Sequence, residues 1–274
     1  MMTVMTGSEW VRSGIGRATA DRITVCGMDV ADDLMGRVSF PDLAFMLVIR
    51  RLPDERESRL FNAVLVSLAE HGLTPTVLAA RLTYTGAPES LQGAIAAGLL
   101  GAGSVFLGPT EDTARFLHDI VAGLPEREAT DRLLRDMALN AVRESVGAGR
   151  RVPGLGHPLH KVTDPRVPRL YEIATECDLL GPHLRLLEAI ADTYGEVIGR
   201  RLPINGAGAA GAALADLGMP PDLARGFALL ARVAGLIGHL AEERVSPLGM
   251  SLYREMEERM VYDDPGDGDR SGEE

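Results

Sequence analysis

Apolar residues recur at helical intervals along almost the whole chain. Leu60, Phe61, Val64, Leu65 and Leu68 fall on one face and predict an amphipathic helix over 54–70. Asp54 and Glu57 have the spacing of a capping box at its start, and Gly72 supplies the stop. His71 is thereby left at the helix C-terminal end, where the dipole favours a charged imidazolium. Thr74-Pro75 starts another helix that ends near Gly86, after a first apolar block at Phe40–Arg51.

The rhythm continues through Leu117, Ile120 and Leu124, then Leu133, Leu134, Met137 and Ala141 as far as Val146. Further helices are predicted at Val167–Ala174 and Leu184–Val197. Pro220-Pro221-Asp222 opens a long one, on which Arg225, Arg232 and His239 share a stripe because they stand seven apart. Nothing reads as a strand series, so the expected class is all-α, in two lobes. Aromatics make up only 4% of the chain, while Ala, Leu and Gly abound, which suits closely packed helices.

Composition narrows the function classes. With 274 residues and 46% apolar content the chain can bury a substantial core. The net charge of −11 argues against a nucleic-acid partner. Six acids and one base from Asp263 to Glu274 account for −5 of it, in a segment expected to be a disordered acidic tail (263–274). Cys26 and Cys177 have neither metal-ligand spacing nor a disulfide framework, so no metal site is expected. No uninterrupted apolar run reaches about 18 residues, and residues 1–14 lack a signal-peptide pattern. A cytoplasmic protein with no membrane partner is the expectation.

The candidate chemistry sits in Arg150-Arg151-Val152-Pro153-Gly154-Leu155-Gly156-His157-Pro158-Leu159-His160-Lys161, closed by Asp164-Pro165-Arg166. Glycines either side of Leu155 let backbone N–H groups approach a ligand, and the cations suit an anionic one. His157 follows at once, on a loop that keeps an acid/base imidazole reachable. Arginine forks such as Arg166 and Arg232 fit carboxylates, although each also reads as an ordinary surface residue. A formal GxGxxG at Gly206-Ala207-Gly208-Ala209-Ala210-Gly211 follows Leu202-Pro203-Ile204-Asn205. It is a decoy for a dinucleotide site, because its apolar run stops at Gly218 with no parallel strands around it.

The histidine loop resembles the catalytic-histidine loop of the citrate synthase superfamily, in its short citryl-CoA lyase branch. Glu70-His71-Gly72-Leu73-Thr74-Pro75 is similar to a segment shared by citryl-CoA lyases and the lyase module of ATP-citrate lyase, and Ala231-Arg232-Val233-Ala234-Gly235-Leu236-Ile237-Gly238-His239 to the helix with a substrate-binding arginine. Pro88-Glu89-Ser90-Leu91-Gln92-Gly93 follows the same branch. The resemblance implies a two-domain helical fold working as a homodimer, with 1–105 and 221–262 as the large domain and 106–220 as the small one. It implies C–C bond making or breaking between acetyl-CoA and oxaloacetate, with citryl-CoA or a related thioester as substrate and no permanently bound cofactor. His157 would be catalytic and would draw off the hydroxyl proton. His71, Arg166 and Arg232 would hold carboxylates of an oxaloacetate-like dicarboxylate. Val152, Pro153, Gly154, Leu155, Gly156, Lys161 and Arg201 would take CoA.

Three positions depart from the family pattern. Phe106 stands where citrate synthases carry a second catalytic histidine, as in the lyase branch. Ala207 stands where the branch carries its proton-shuttling aspartate, and Met250 replaces an arginine. Neither Glu196 nor Asp216 has a spacing that supports it as a substitute carboxylate. The alternative is therefore a catalytically weakened homologue that binds CoA esters or assists a partner subunit. A citrate or methylcitrate synthase is disfavoured by Phe106 and Ala207.

Overall fold

The computed structural model describes residues 12–125 and 128–263. The segment 1–11, expected to carry no signal peptide, and the expected acidic tail from 264 onward lie outside the described residues. Eleven α-helices are described, so the all-α expectation holds, with one addition: strands β1 (Gly16–Ala18), β2 (Ile23–Val25) and β3 (Met28–Asp29) form a small antiparallel meander. A tight turn with Cys26 and Gly27 at positive φ joins β2 to β3. These strands are too short to show an alternating pattern.

The helices are α1 (Phe40–Ile49), α2 (Glu55–Ala69), α3 (Pro75–Gly86), α4 (Leu91–Leu100), α5 (Gly108–Val121) and α6 (Asp131–Gly147). They continue with α7 (Arg166–Glu176), α8 (Pro182–Ile198), α9 (Gly206–Asp216), α10 (Ala224–Val245) and α11 (Gly249–Arg259). The capping box before α2 is formed in both directions. Glu57 N–H donates to Asp54 Oδ1 at 2.8 Å, and Asp54 N–H to Glu57 Oε2 at 2.9 Å.

Contacts divide the chain into two compact units, residues 1–68 with 107–228 and residues 69–106 with 229–274. This grouping puts 1–68 with 107–228 rather than with 221–262. In the first unit Phe61 meets Phe45 and Phe227 edge-on, with centroids 5.6 and 5.2 Å apart. Here α9 is buried at nine of its eleven residues, all Gly or Ala except Leu214. Small side chains let it lie directly against α5. A Cβ on Gly211 would sit 2.2 Å from the Thr110 carbonyl oxygen.

The second unit packs Val77, Ala80, Ala94, Leu236 and Leu240 into one cluster. Beside it, Arg81 and Glu243 form a buried ion pair. Glu243 also accepts the N–H groups of Leu248 and Gly249, which caps α11. The segment Pro221–Val245 is long and apolar enough to cross a membrane by length and composition, as the core helix of a soluble protein also is. Arg232 breaks its apolar run, which is why the sequence shows no uninterrupted stretch there.

Two glycines on helices should respond oppositely to the same methyl group. Gly211→Ala drives a Cβ into the α5 backbone and should cost about 1–3 kcal/mol. Gly226→Ala meets nothing within 4 Å and should gain up to about 1 kcal/mol from helix propensity. Paired urea melts of the two variants check this.

Candidate active site

The site is built where the chain leaves α6 and runs without regular structure to α7. Gly154 and Gly156 both hold positive φ, +83° and +82°, and bend the loop back on the segment before α9. Leu155 bridges Ile204 antiparallel. Gly156 N–H donates to Pro203 O at 2.7 Å, Asn205 N–H to Gly154 O at 2.9 Å, and the Asn205 side-chain amide to Gly156 O at 2.9 Å.

This stitching bears on the expectation that Val152–Gly156 offers N–H groups to a ligand. The Gly156 N–H is already bonded. Val152 is buried, and Gly154 is enclosed so closely that a Cβ would meet Leu187 and Thr113. Those glycines shape the loop.

His157 is held by its own backbone. The N–H groups of Leu159 and His160 donate to its Nδ1 at 3.1 and 3.0 Å. Because Nδ1 accepts, the neutral ring carries its proton on Nε2. A neutral ring held this way presents Nε2–H as a donor, whereas drawing off a hydroxyl proton, as expected of His157, requires the other tautomer. The Lys161 ammonium closes the turn with a 3.1 Å bond to the His157 carbonyl.

Gly156, His157, His160, Lys161, Arg200, Arg201, Leu202 and Pro203 line a cleft of about 310 Å³. Of the expected residues it brings together Gly156, His157, Lys161 and Arg201. Pro153 and Leu155 belong to the loop but not to the cleft lining. Three cations beside two imidazoles make a receptor for a multiply charged anion. Arg200 and His160 were not singled out from sequence. The Arg200-Arg201 pair directly after Gly199, whose positive φ ends α8, was the available signal.

Arg166 opens α7 and is fixed by Asp164, whose carboxylate is closed to solvent. Its Nε and Nη2 donate to the two carboxylate oxygens at 2.9 and 2.7 Å, and Nη1 donates to Ser67 O at 3.1 Å. Gly206 N–H, at the start of α9, donates to Asp164 Oδ2 at 2.8 Å. Burial pushes the Asp164 carboxyl upward. The bond and charge of Arg166, with the backbone N–H groups of Gly206 and Arg166, outweigh that and hold it well below the usual carboxylate range.

His71 and Arg232 belong to the other unit. His71 follows α2 next to Glu70, which accepts Gly72 N–H and faces His239 Nε2 at 3.0 Å. Arg232 is 5% exposed on α10, so its reading as an ordinary surface residue is corrected. Ala207 is the second residue of α9. Neither carboxylate considered as its substitute is available: Glu196 pairs with Arg135 on the surface, and Asp216 lies at the far end of α9 against His183.

Residues 43–254 match the family described as citrate synthase, C-terminal domain. The chain belongs to the citrate synthase family. A citryl-CoA lyase from Hydrogenobacter thermophilus is 30% identical, with a TM-score of 0.81 covering 93% of this chain and 95% of that one. An ATP citrate lyase from Methanothrix soehngenii, solved with citrate and coenzyme A, shares the fold at 20% identity and a TM-score of 0.72, over 98% of this chain and 44% of that one. A probable ATP-citrate synthase of Dictyostelium discoideum is 25% identical over 260 residues, 88% of this chain and 39% of that protein. The chain spans less than half the length of the curated relatives it matches. Together these place it in the citryl-CoA lyase-like branch of a family of enzymes.

In this citrate synthase-family chain the Asp164 carboxylate should dominate the acid limb of stability. Its folded pKa lies below the unfolded value of about 3.9, so its contribution is complete above about pH 5 and is lost as pH falls toward the folded value. Asp164→Asn should cost about 3 kcal/mol, the lower end for a broken buried pair because Arg166 keeps some solvent contact. It should also flatten the decline of stability below pH 5, read from urea midpoints across pH.

Proposed function

We propose that this chain makes or breaks the C–C bond between an acetyl-CoA unit and an oxaloacetate-like dicarboxylate, with cleavage of citryl-CoA or a related 3-hydroxy-3-carboxyacyl-CoA as the favoured direction. The observation that carries the reading is the imidazole of His157, locked by two N–H bonds at Nδ1, beside Lys161, Arg200 and Arg201 in one cleft. The Methanothrix relative was solved with citrate and coenzyme A, ligands of the same class. In this scheme the CoA thioester is a substrate and not a resident cofactor.

In cleavage the hydroxyl gives its proton to solvent and becomes the oxaloacetate carbonyl. The electron pair of the broken C–C bond passes to the carbon next to the thioester, which then takes a proton back from solvent. His157 Nε2–H donates to the oxygen throughout and stabilises its negative charge, the role of an oxyanion donor. Lys161, Arg200 and Arg201 bind the phosphates of CoA. His71 and Arg232 take substrate carboxylates. Arg166 can bind a carboxylate only through N–H groups turned away from Asp164, since its Nε–Nη2 edge is used.

The hydroxyl and methyl protons are the weak point, because Ala207 offers no carboxylate. That same residue favours a second reading, a weakened homologue that binds CoA esters or serves a partner subunit. Calorimetry separates the two. CoA binding with no release of acetyl-CoA from citryl-CoA supports the second, and robust turnover removes it.

Two variants test the chemistry. Ala207→Asp places a carboxylate in the first turn of α9, where the helix dipole tolerates it, and should raise turnover of citryl-CoA at least about tenfold. His157→Gln keeps an N–H donor near the Nε2 position and should retain more activity than His157→Ala, which should lose about 10²–10³-fold. Equal loss in both would show that the ring acts as a proton acceptor instead.

A further inference from the structure

Within the second unit a chain of polar contacts runs from α10 to the turn that carries His71. Arg232, Gly235 and His239 fall on one face of α10, three and four residues apart. Gly235 brings that face against the end of α2. A Cβ there would lie 2.1 Å from the Ala69 carbonyl oxygen and 2.8 Å from Glu70 Oε2. One turn on, the His239 ring meets Glu70 Oε1 through Nε2 at 3.0 Å. The ring is 15% exposed and the carboxylate 45%, so a nearly buried donor fixes a half-exposed acceptor.

Glu70 is in turn the clasp of the His71 turn. Its carboxylate accepts the Gly72 N–H, and Gly72 takes a positive φ of +73° as the chain bends toward α3. Burial pushes the Glu70 carboxyl up. The bond from His239 and the N–H groups of Gly72 and His71 outweigh that and hold it below its ordinary range. An ionised carboxylate cannot donate, so the proton in the His239–Glu70 bond belongs to Nε2.

The far side of the ring offers no rival contact. Nδ1 is closed to solvent and makes no hydrogen bond. Glu242 Oε2 stands 3.8 Å from it and is engaged by Arg81 Nη1 at 2.7 Å. Arg81 is itself held by the buried Glu243. The Glu70 bond is therefore the contact that directs the imidazole.

We propose that His239 is a positioning residue for the His71 turn: by holding the Glu70 carboxylate it fixes the backbone around Gly72 and so aims the His71 imidazole at a substrate carboxylate. This rests on the reading that His71 takes such a carboxylate. His239 acts through Glu70, and its loss is felt as misplacement of the ring that binds.

Citrate and CoA, titrated separately into the full chain by calorimetry, are the probes, with the His71 ring and backbone ¹⁵N signals followed in ligand-free protein. The amide of His239→Asn is too short to reach Glu70, whereas that of His239→Gln places an N–H near the Nε2 position. His239→Asn should move the His71 signals and weaken citrate about tenfold, the loss of a charge-assisted hydrogen bond. CoA, which the reading gives to cations of the other unit, should change by less than about twofold, as expected of an independent site. His239→Gln should restore both the signals and the citrate affinity. Should His239→Asn fail to fold, Glu70→Ala breaks the same bond at a half-exposed position and should give the same pattern. The proposal is overturned if the His71 signals stay in place, if citrate and CoA weaken together as general loss of structure would cause, or if His239→Gln binds citrate no better than His239→Asn. Wild type that binds no citrate, while His239→Asn still moves the His71 signals, overturns the carboxylate role of His71 and leaves the positioning standing.

Discussion

The candidate site depends on one buried carboxylate. Asp164 holds three things at once: the Arg166 fork, the first N–H of α7, and the first N–H of α9. A carboxylate stripped of water is expensive unless every lone pair is matched, and here the guanidinium and two backbone donors match it. Because the partners come from separate stretches of chain, the bond fixes the start of α7 against the start of α9. The histidine loop is spanned between them and inherits that fixed frame.

The same constraint explains the glycine segment that imitates a dinucleotide fingerprint. A Cβ on Gly206 would lie 2.4 Å from the Arg166 guanidinium carbon, one on Gly208 would lie 2.5 Å from the Gly154 Cα, and one on Gly211 would strike the Thr110 carbonyl. Each glycine is therefore needed by a protein neighbour. The spacing that would cradle a pyrophosphate elsewhere serves here to let a helix start against an ion pair and a loop backbone. A motif of three glycines reports close approach, and only the surroundings say to what.

Helices with strong local signals were legible in the sequence. The Asp54–Glu57 box, Pro75 and Gly86 marked the ends of α2 and α3 to within a residue, because capping and φ restriction act locally. The histidine loop was also legible, through the order of its residues. The β-meander was not, since strands of two or three residues carry no period. Nor was the function of Asp164, which reads as a turn residue until a distant Gly206 N–H arrives. The tautomer of His157 was hidden for a related reason: it is set by backbone donors two and three residues on, and the sequence does not show how that turn folds. Arg200 was legible only as the neighbour of Arg201 directly after Gly199.

What the frame fixes also limits how the chain can compensate for Ala207. Helix α9 is buried nearly all round and locked at both ends, by Asp164 at Gly206 and by His183 at Asp216. It cannot rotate to bring Asp216 toward the histidine cleft, because turning it would break the Gly208 and Gly211 backbone contacts. Glu196 would have to abandon Arg135 and unwind the end of α8. A missing acid/base on so rigid an element has to be replaced at its own position, by solvent or by a group the substrate brings, and solvent is the weaker proton carrier. The rigidity that positions His157 so well is thus the property that makes residue 207 decisive for how fast the proposed reaction can run.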